Sequence, residues 1–447
     1  MSTAEPGDER GAEPLKPIYP YNQPGEAIDL YSGPIGGLYD DTVEGTIRLV
    51  PYPTPDLRWD VAVPNTEGRS TIDRLGGTFD LTAGSMVGRA TVSATSDSRV
   101  SGISGSLEFE SGKPVTRALV HWMNLPDYNG NATIRYDGDD GSKTWTHSRL
   151  ALEIEEWSIT LDGRPGNGSL FKEDTGLARF VLTHVMEIRR TDGSTFDAES
   201  ARLLLDALRL SFSFAAGRWV SPTLTVGFDT ADAEVWRWWV TPICAPYEKT
   251  GSPIISPLVF ADVEAFLKAS VAKLHGGNAH NTTRFQFQFA TQTSNLGFVE
   301  NRIFAAFPAI ENLSWETFVL GGVIAKKDFE DSKVWPTARR LRELLTRAQI
   351  PLDLDQKRLP ALYQLAQEKG NDGPEAATWV RNRLIHPKDP YDRIYTRESL
   401  VVEAWQLSRE YICLLVLHAI GYRGGYLSPI PPHGWLGDPA PVPWAGP

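Results

Sequence analysis

The sequence predicts an α+β multidomain protein with a β-rich N-terminal half, resembling a sandwich or barrel, and an all-α C-terminal domain. Its 447 residues exceed what one compact core usually serves. Short alternating runs fill the first half, whereas apolar residues recur at helical spacing in the second. We expect a flexible tail at 1–25, a β-rich domain at 26–250, an all-α domain at 255–425 and a proline-rich tail at 426–447.

The β-rich half shows short alternating segments separated by turn signals. Examples of the segments are ALVHWMNL, ATIRYDG and LEIEEWSITLDG, and examples of the turns are YDGDDGSK, LDGRPGNGS and RTDGS. Strands at this spacing are typical of sandwiches and barrels. One helix is predicted inside this half, in FDAESARLLLDALRLSFSF, with Asp197 as its N-cap.

The second half changes to helical periodicity. Six segments show it: ADVEAFLKASVAKL, NLGFVENRIFAAFPAIENLSWETFVL, PTARRLRELLTRAQI, LPALYQLAQEKG, GPEAATWVRNRLIH and RESLVVEAWQLSREYICLLVLHAIGY. Alternation in RFQFQFATQTSN instead indicates a strand or an extended connector. PIPPHGWLGDPAPVPWAGP is too proline-rich for a packed element.

Composition favours a cytoplasmic protein without a membrane partner. The N-terminal MSTAEPGDERGAEP lacks the apolar stretch of a secretory signal, and the most apolar run, residues 412–420, is too short to cross a bilayer. The two cysteines, Cys244 and Cys413, have bulky apolar neighbours, which suits buried thiols in a reducing compartment.

The net charge of −12 is unevenly distributed. Residues 255–447 hold 21 Lys and Arg against 20 Asp and Glu, so the acidity belongs to the first 254 residues, whose net charge is −13. The total charge therefore does not exclude RNA as a partner, because the helical half can present a local basic surface.

A candidate site lies in VRNRLIHPKDP, where Arg381 and His386 are five positions apart and Asn382 follows the arginine. Spacing alone decides nothing, since Arg179 and His184 in RFVLTH share it within a predicted strand. The local context therefore has to decide whether this is a site.

The sequence predicts both ends of the helix that carries Arg381. Asp372 followed by Glu375 fits a capping box, and Pro387 disfavours helical geometry at His386, where we expect the helix to end. The two side chains start about 140° apart on an ideal helix, although a long Arg stem and a loosened last turn could bring both over one groove. The alternative is that Arg381, Arg383 and His386 only complement the helix dipole.

RNRLIHP at a helix end in an all-α domain resembles the signature of the HEPN superfamily, in which Arg precedes His by four to six residues. ENRIFAAFPAIENLSWETFV and WQLSREYICLLVLHAIGY resemble the helices before and after the motif helix, so the resemblance covers roughly residues 295–423. More loosely, the chain resembles large bacterial proteins with a β-rich front half and a HEPN back half, including abortive-infection proteins of the ApeA type.

The resemblance implies metal-independent RNA cleavage by a homodimer, with no cofactor and with 2',3'-cyclic phosphate products. His386 would move protons and Arg381 would bind phosphoryl oxygens, chemistry for which imidazole and guanidinium are suited. Asn382 would orient the histidine or a phosphate, and Glu300 or Glu311 on the earlier helix would hold the arginine. The alternative for these two glutamates is a solvated acidic helix face.

Other chemistry is poorly supported by the sequence. No GxSxG, Walker A or HExxH pattern occurs, and YDGDDGSK lacks the glutamate of a calcium loop, which favours a hairpin turn. Two function classes remain. One is a HEPN ribonuclease that acts, as the resemblance to abortive-infection proteins implies, as a defence effector whose β-rich half senses a trigger or restrains the nuclease. The other is a non-catalytic HEPN protein that binds RNA, nucleotide or a protein partner.

Overall fold

The computed structural model describes residues 11–62, 75–96, 98–137, 142–166, 179–247, 252–275, 280–295, 297–386, 393–432 and 434–446. The chain divides into two compact units, residues 1–205 with 220–249, and residues 206–219 with 250–447. The first unit is β-rich and the second is helical, as the sequence predicts.

The strands of the first unit are β1 Ile28–Gly36, β2 Val43–Val50, β3 Asp56–Ala62, β4 Thr78–Ala83, β5 Met86–Thr95, β6 Arg99–Ser104, β7 Ser106–Glu110, β8 Arg117–Met123, β9 Ala132–Asp137, β10 Lys143–Ile154, β11 Trp157–Gly163, β12 Leu182–Arg190, β13 Ser221–Phe228 and β14 Glu234–Val240. Helix α1, Ala198–Ala216, begins in this unit and ends in the other.

The helices of the second unit are α2 Phe260–His275, α3 His280–Gln292, α4 Val299–Ser314, α5 Lys326–Glu330, α6 Thr337–Arg347, α7 Pro360–Lys369, α8 Gly373–Ile385 and α9 Leu400–Ala419. A π-helical segment, Trp315–Leu320, continues α4, and a 3-10 turn, Arg393–Thr396, precedes α9. Two short strands, β15 Gly425–Tyr426 and β16 Ala440–Pro441, pair near the C-terminus.

Six strands of the first unit form a closed antiparallel barrel. Its order is β4-β1-β2-β3-β6-β5, and the pairing of β5 with β4 closes it. The interior is packed with side chains: Trp59 is 1% exposed, and a Cβ atom at Gly102 would lie 2.6 Å from its ring. A glycine is therefore required where β6 passes the indole. The sequence left a sandwich or a barrel open, and these six strands form a barrel.

The other eight strands form an antiparallel sheet that continues from β5. The order is β7-β14-β13-β8-β12-β11-β10-β9. YDGDDGSK joins β9 to β10, which pair from Asp137↔Lys143 onward, although residues 138–141 lie outside the described residues. Asp197 caps α1 as predicted, since its Oδ1 accepts the Ser200 N–H at 2.8 Å.

The segment before β1 differs from the flexible tail that its composition predicts. Tyr19 is 8% exposed and Asn22 is 2% exposed. The Tyr19 hydroxyl accepts the Trp239 Nε1–H at 2.7 Å, and the Asn22 amide bonds to the backbone of Phe180 and Leu182. One aromatic ring and one amide thus anchor residues whose overall composition is that of a loop.

All six predicted helical segments of the second unit are helical, but RFQFQFATQTSN is not a strand or an extended connector. It forms most of α3. Phe285 and Phe289 pack together with ring centroids 4.4 Å apart, and Phe287 is fully buried. Alternating phenylalanines also place residues four apart on one helix face, so the pattern suited both structures.

The proline-rich C-terminal segment is also more ordered than expected. Ile430 and Val442 are buried, and the Trp444 Nε1–H donates to the Tyr422 carbonyl at 2.7 Å. None of the helices in the described ranges combines the length and the apolar character needed to span a bilayer.

Two histidines are buried in the β-rich unit in contrasting ways. His121 Nδ1 lies 2.8 Å from the Leu224 carbonyl, and its Nε2 accepts the Tyr19 N–H at 3.2 Å. Neither ring nitrogen of His184 has a hydrogen-bond partner among the described residues. Burial lowers the pKa of His121 to about 4 and that of His184 to about 3.

We therefore expect the free energy of unfolding to fall as the pH drops from about 6.5, the pKa of unfolded histidine, towards these folded values. Protonation favours the unfolded chain, and each histidine contributes a slope of at most about 1.4 kcal/mol per pH unit. His184→Leu should flatten the slope with little loss at pH 7, because its nitrogens are unpaired. His121→Leu should cost about 1–3 kcal/mol at pH 7, because it strands two buried backbone groups.

Denaturant unfolding of the full chain between pH 7.5 and 4.5, followed by tryptophan fluorescence, measures both effects. An unchanged slope in both variants would contradict the assignment of the acid sensitivity to these histidines.

Candidate functional site

The helix α8 has the ends that the sequence predicts. Asp372 is its N-cap and accepts the Glu375 N–H at 2.9 Å. Arg342 of α6 donates to Asp372 at 2.5 Å and pairs with Glu375 at 2.8 Å. These hydrogen bonds, chiefly the one to Asp372, raise the pKa of Arg342 above its usual value. The first turn of α8 is thereby held by a cap and by an ion pair to the neighbouring helix.

Arg381 is half-buried and is held by uncharged groups. Its Nη1 donates to Asn382 Oδ1 at 2.9 Å, and its guanidinium carbon lies 5.3 Å from the ring centroid of Phe307 on α4. Its Nε is buried without a hydrogen-bond partner. No carboxylate of the described residues forms an ion pair with it, so its charge is available to an anion.

Asn382 contacts both motif residues. Its side chain accepts from Arg381, and its backbone carbonyl accepts the His386 N–H at 2.8 Å. That backbone bond closes the last turn of α8, and His386 is its C-cap residue, with φ −125° and ψ 75°. The imidazole is exposed at the helix end. The structure therefore joins Arg381 and His386 through Asn382.

A groove of about 390 Å³ lies beside this motif, between α8 and α6. From α8 it is lined by Glu375, Thr378, Trp379 and Asn382, which share one face because they are spaced by three, four and seven residues. Thr337 of α6 contributes a hydroxyl to the opposite wall. The groove thus combines an indole with amide and hydroxyl groups.

Trp379 also carries two cations on its ring. The Arg383 guanidinium carbon lies 5.1 Å from the ring centroid, and the Lys369 Nζ lies 5.8 Å from it. Such contacts are favourable because the face of the ring is electron-rich. One cation from α7 and one from α8 therefore pack on the ring of Trp379, which lines the groove.

The two glutamates named from the sequence have other partners. Glu311 accepts from the Thr337 hydroxyl at 2.8 Å and pairs with Arg340. Partial desolvation and a hydrogen bond with Glu300 raise the pKa of Tyr395. Neither glutamate pairs with Arg381 among the described contacts.

Sequence reasoning missed Phe307 and Trp379. The Phe307 ring could not be assigned to Arg381, because their contact depends on how α4 and α8 pack. Trp379 was detectable, since it precedes Asn382 by three residues and shares its helix face.

Arg179 and His184 form no comparable site. His184 lies in β12 and is 1% exposed, so its imidazole is not accessible from solvent. The strand predicted for this stretch is confirmed at His184.

Two family models match parts of the chain. The YopA central domain matches residues 110–250, and the YopA C-terminal domain matches residues 288–439, which include Arg381, Asn382 and His386. The strands β1 to β6 of the barrel precede both matches.

The SPbeta prophage-derived uncharacterized protein YopA of Bacillus subtilis (strain 168) is 25% identical to the chain over 291 residues. The match covers 63% of this chain and 62% of that protein, so the chain spans less than two thirds of the relative's length. No solved structure matches the chain.

Proposed function

We propose that the helical unit is a metal-independent endoribonuclease of the HEPN type that acts as a homodimer. The observation that carries the proposal is the environment of Arg381. Its guanidinium is fixed over Phe307 and by Asn382, and no described carboxylate neutralises it. A half-buried arginine of this kind is suited to bind a phosphate.

The position of His386 supports proton transfer. The imidazole is exposed at the C-terminus of α8, where a substrate can reach it. In the proposed reaction, one imidazole takes the proton of the 2'-hydroxyl, whose oxygen attacks the adjacent phosphorus. The bond from phosphorus to the 5'-oxygen breaks, and a protonated imidazole gives that oxygen its proton.

A dimer supplies the second imidazole that this reaction needs. Isologous pairing would bring two copies of the motif together, one acting as base and the other as acid. Exposed apolar side chains in the helical unit support self-association: Phe298 is 78% exposed and Tyr395 is 65% exposed. Both flank Glu300, which bonds to Tyr395, so they lie near the start of α4.

The groove beside α8 supports single-stranded RNA as the substrate class. Lys369 and Arg383, the two cations on Trp379, can contact phosphates, and Asn382 offers an amide for a base edge. The proposed role of the β-rich unit is to sense a trigger or to restrain the nuclease in the cytoplasm. The YopA relative is prophage-derived, which supports placing the proposed activity in conflicts between phage and host.

The second candidate is a non-catalytic protein that binds RNA, nucleotide or a protein partner through the same groove. The two cations on Trp379 favour this second candidate. Together with the indole they form a charged surface that can bind a ligand, and none of these groups takes part in the proposed cleavage. RNA binding without cleavage by the purified full chain would select this candidate.

We expect Arg381→Ala and His386→Ala each to lower the rate of RNA cleavage at least about 100-fold, as is typical for charge-stabilising and acid–base groups. Both proteins should remain folded, because neither side chain forms an ion pair with the described residues. Cleavage of a labelled single-stranded RNA by the purified full chain measures the rates.

Two arginine substitutions serve as matched controls. Arg179→Ala removes the arginine of the other spacing match, and Arg347→Ala removes an exposed arginine of α6 in the same unit, which lies over Phe318. Both controls should cleave at the wild-type rate. Equal losses in the controls and in the motif variants would place the reaction elsewhere.

Cleavage should persist in EDTA and should leave a 2',3'-cyclic phosphate and a 5'-hydroxyl. Deoxyribose at the cut position should block it, because the attacking hydroxyl is missing. Mass spectrometry of the products, with and without the chelator, checks both points. Loss of cleavage in EDTA, or equal cleavage of DNA, would contradict the mechanism.

The full chain should be a dimer at micromolar concentration by light scattering. Phe298→Glu should weaken the dimer at least about tenfold if this ring is buried at its centre, since central aromatic residues dominate interface energies. Leu203→Glu is the control, because Leu203 is 51% exposed on α1. A wild-type monomer that cleaves RNA would remove the requirement for a dimer.

A further inference from the structure

A second cavity lies within the helical unit, apart from the groove that contains Asn382. Its volume is about 240 Å³, well above the minimum that holds one water molecule. Apolar walls are formed by Leu359, which precedes α7, by Leu407 and Leu414 of α9, and by Ile430. Such a space fits a small organic molecule with an aliphatic body.

A carboxylate forms part of the cavity lining. Glu410 of α9 is 7% exposed and accepts hydrogen bonds from the Tyr426 hydroxyl at 2.7 Å and the Ser428 hydroxyl at 3.1 Å. Arg358 also donates to Ser428, at 3.1 Å, and its remaining described bonds go to the carbonyls of Pro431 and Ile430. The arginine is therefore turned towards the backbone and does not form a direct ion pair with Glu410.

Tyr411 supplies the observation that points to a ligand. It lines the same cavity and is 2% exposed, yet its hydroxyl has no hydrogen-bond partner among the described residues. A buried hydroxyl without a partner is costly, so one is expected to be satisfied when the site is in use. Asp372, Glu410 and Asp353 surround it closely enough to raise its pKa, after the larger effect of burial.

The charge of the lining selects a cation. The lining holds Asp353, Asp355 and Glu410 against one cationic side chain, Arg358, and the buried Arg409 behind Glu410 acts on it as well. Asp355 bonds to the Lys357 N–H at 2.8 Å, whereas Asp353 has no described hydrogen bond. The described residues hold no group of three His, Cys, Asp or Glu side chains arranged for a metal ion. An organic cation can span separated carboxylates that a metal ion cannot ligate together.

We propose that this cavity binds a small primary amine in its ammonium form. The ammonium donates to the Tyr411 hydroxyl and to the carboxylates of Glu410 and Asp353, and the aliphatic body lies against the leucines. The ammonium has three N–H donors, which matches these three acceptors. The site does not depend on the proposed ribonuclease activity.

Occupancy of the cavity is coupled to the start of α8. A Cβ atom at Gly373 would lie 2.2 Å from the Tyr411 hydroxyl and 2.7 Å from the Leu352 carbonyl, so the backbone of α8 packs directly on this side chain. A ligand that holds the Tyr411 hydroxyl therefore restrains the first turn of the helix that carries Arg381 and His386.

Calorimetric titration of the full chain with n-butylamine tests the proposal, with n-butanol and butyrate as ligands of the same length. We expect n-butylamine to bind and the other two to bind at least about tenfold more weakly, because only the ammonium makes charge-assisted hydrogen bonds to the carboxylates. Nα-acetyl-lysine methylamide presents the same ammonium on a peptide, so its affinity separates a free amine from a lysine side chain as the source.

Two variants locate the binding. Tyr411→Phe removes a hydroxyl without a described partner and keeps the ring, so the protein should fold and the affinity for n-butylamine should fall about tenfold. Asp353→Asn should lower it severalfold, and Glu398→Gln, an exposed substitution away from the cavity, should leave it unchanged.

Three results would overturn the proposal. One is the absence of n-butylamine binding at millimolar concentration, and the second is equal binding of n-butanol. The third is unchanged affinity in both Tyr411→Phe and Asp353→Asn. RNA cleavage is not measured in this experiment, so its outcome is separate from that of the proposed nuclease.

Discussion

The close approach of α8 to α9 at Gly373 is the constraint on which the helical unit depends. Only a residue without a side chain leaves room for the Tyr411 hydroxyl and the Leu352 carbonyl at this point. Asp372, one residue earlier, caps α8 and bonds to Arg342. The start of α8 is therefore fixed from both sides, and the motif at its other end takes its position from a helix that is held rigidly.

The arginines of the helical unit differ in whether an acidic side chain forms an ion pair with them. Arg340 and Arg342 are neutralised by acidic partners and tie α6 to α4 and α8. Arg381 rests on an aromatic ring and an amide, neither of which removes its charge. A count of basic residues along the sequence cannot separate these groups, whereas the ion pairs of the folded chain do.

The sequence predicted what depends on local chemistry. Asp372 caps the start of α8 through a hydrogen bond to a residue three positions later, and the end that the sequence predicts at His386 is also confirmed. The strand or extended connector predicted around Phe285 and Phe289 was wrong, because their spacing fits both a strand and a helix. The packing of their rings in the folded chain decides for the helix. The contacts of Arg381 with Phe307 and of Glu311 with Arg340 join residues far apart in sequence, so no local pattern encodes them.

Asn382 contacts the two motif residues through different atoms. Its side chain holds Arg381, whereas its backbone carbonyl holds the N–H of His386. The backbone bond is available to any residue in a helical last turn, but the side-chain bond requires a short acceptor directly after the arginine. Asn382 is therefore a positioning residue for Arg381, and the location of His386 follows from where α8 ends.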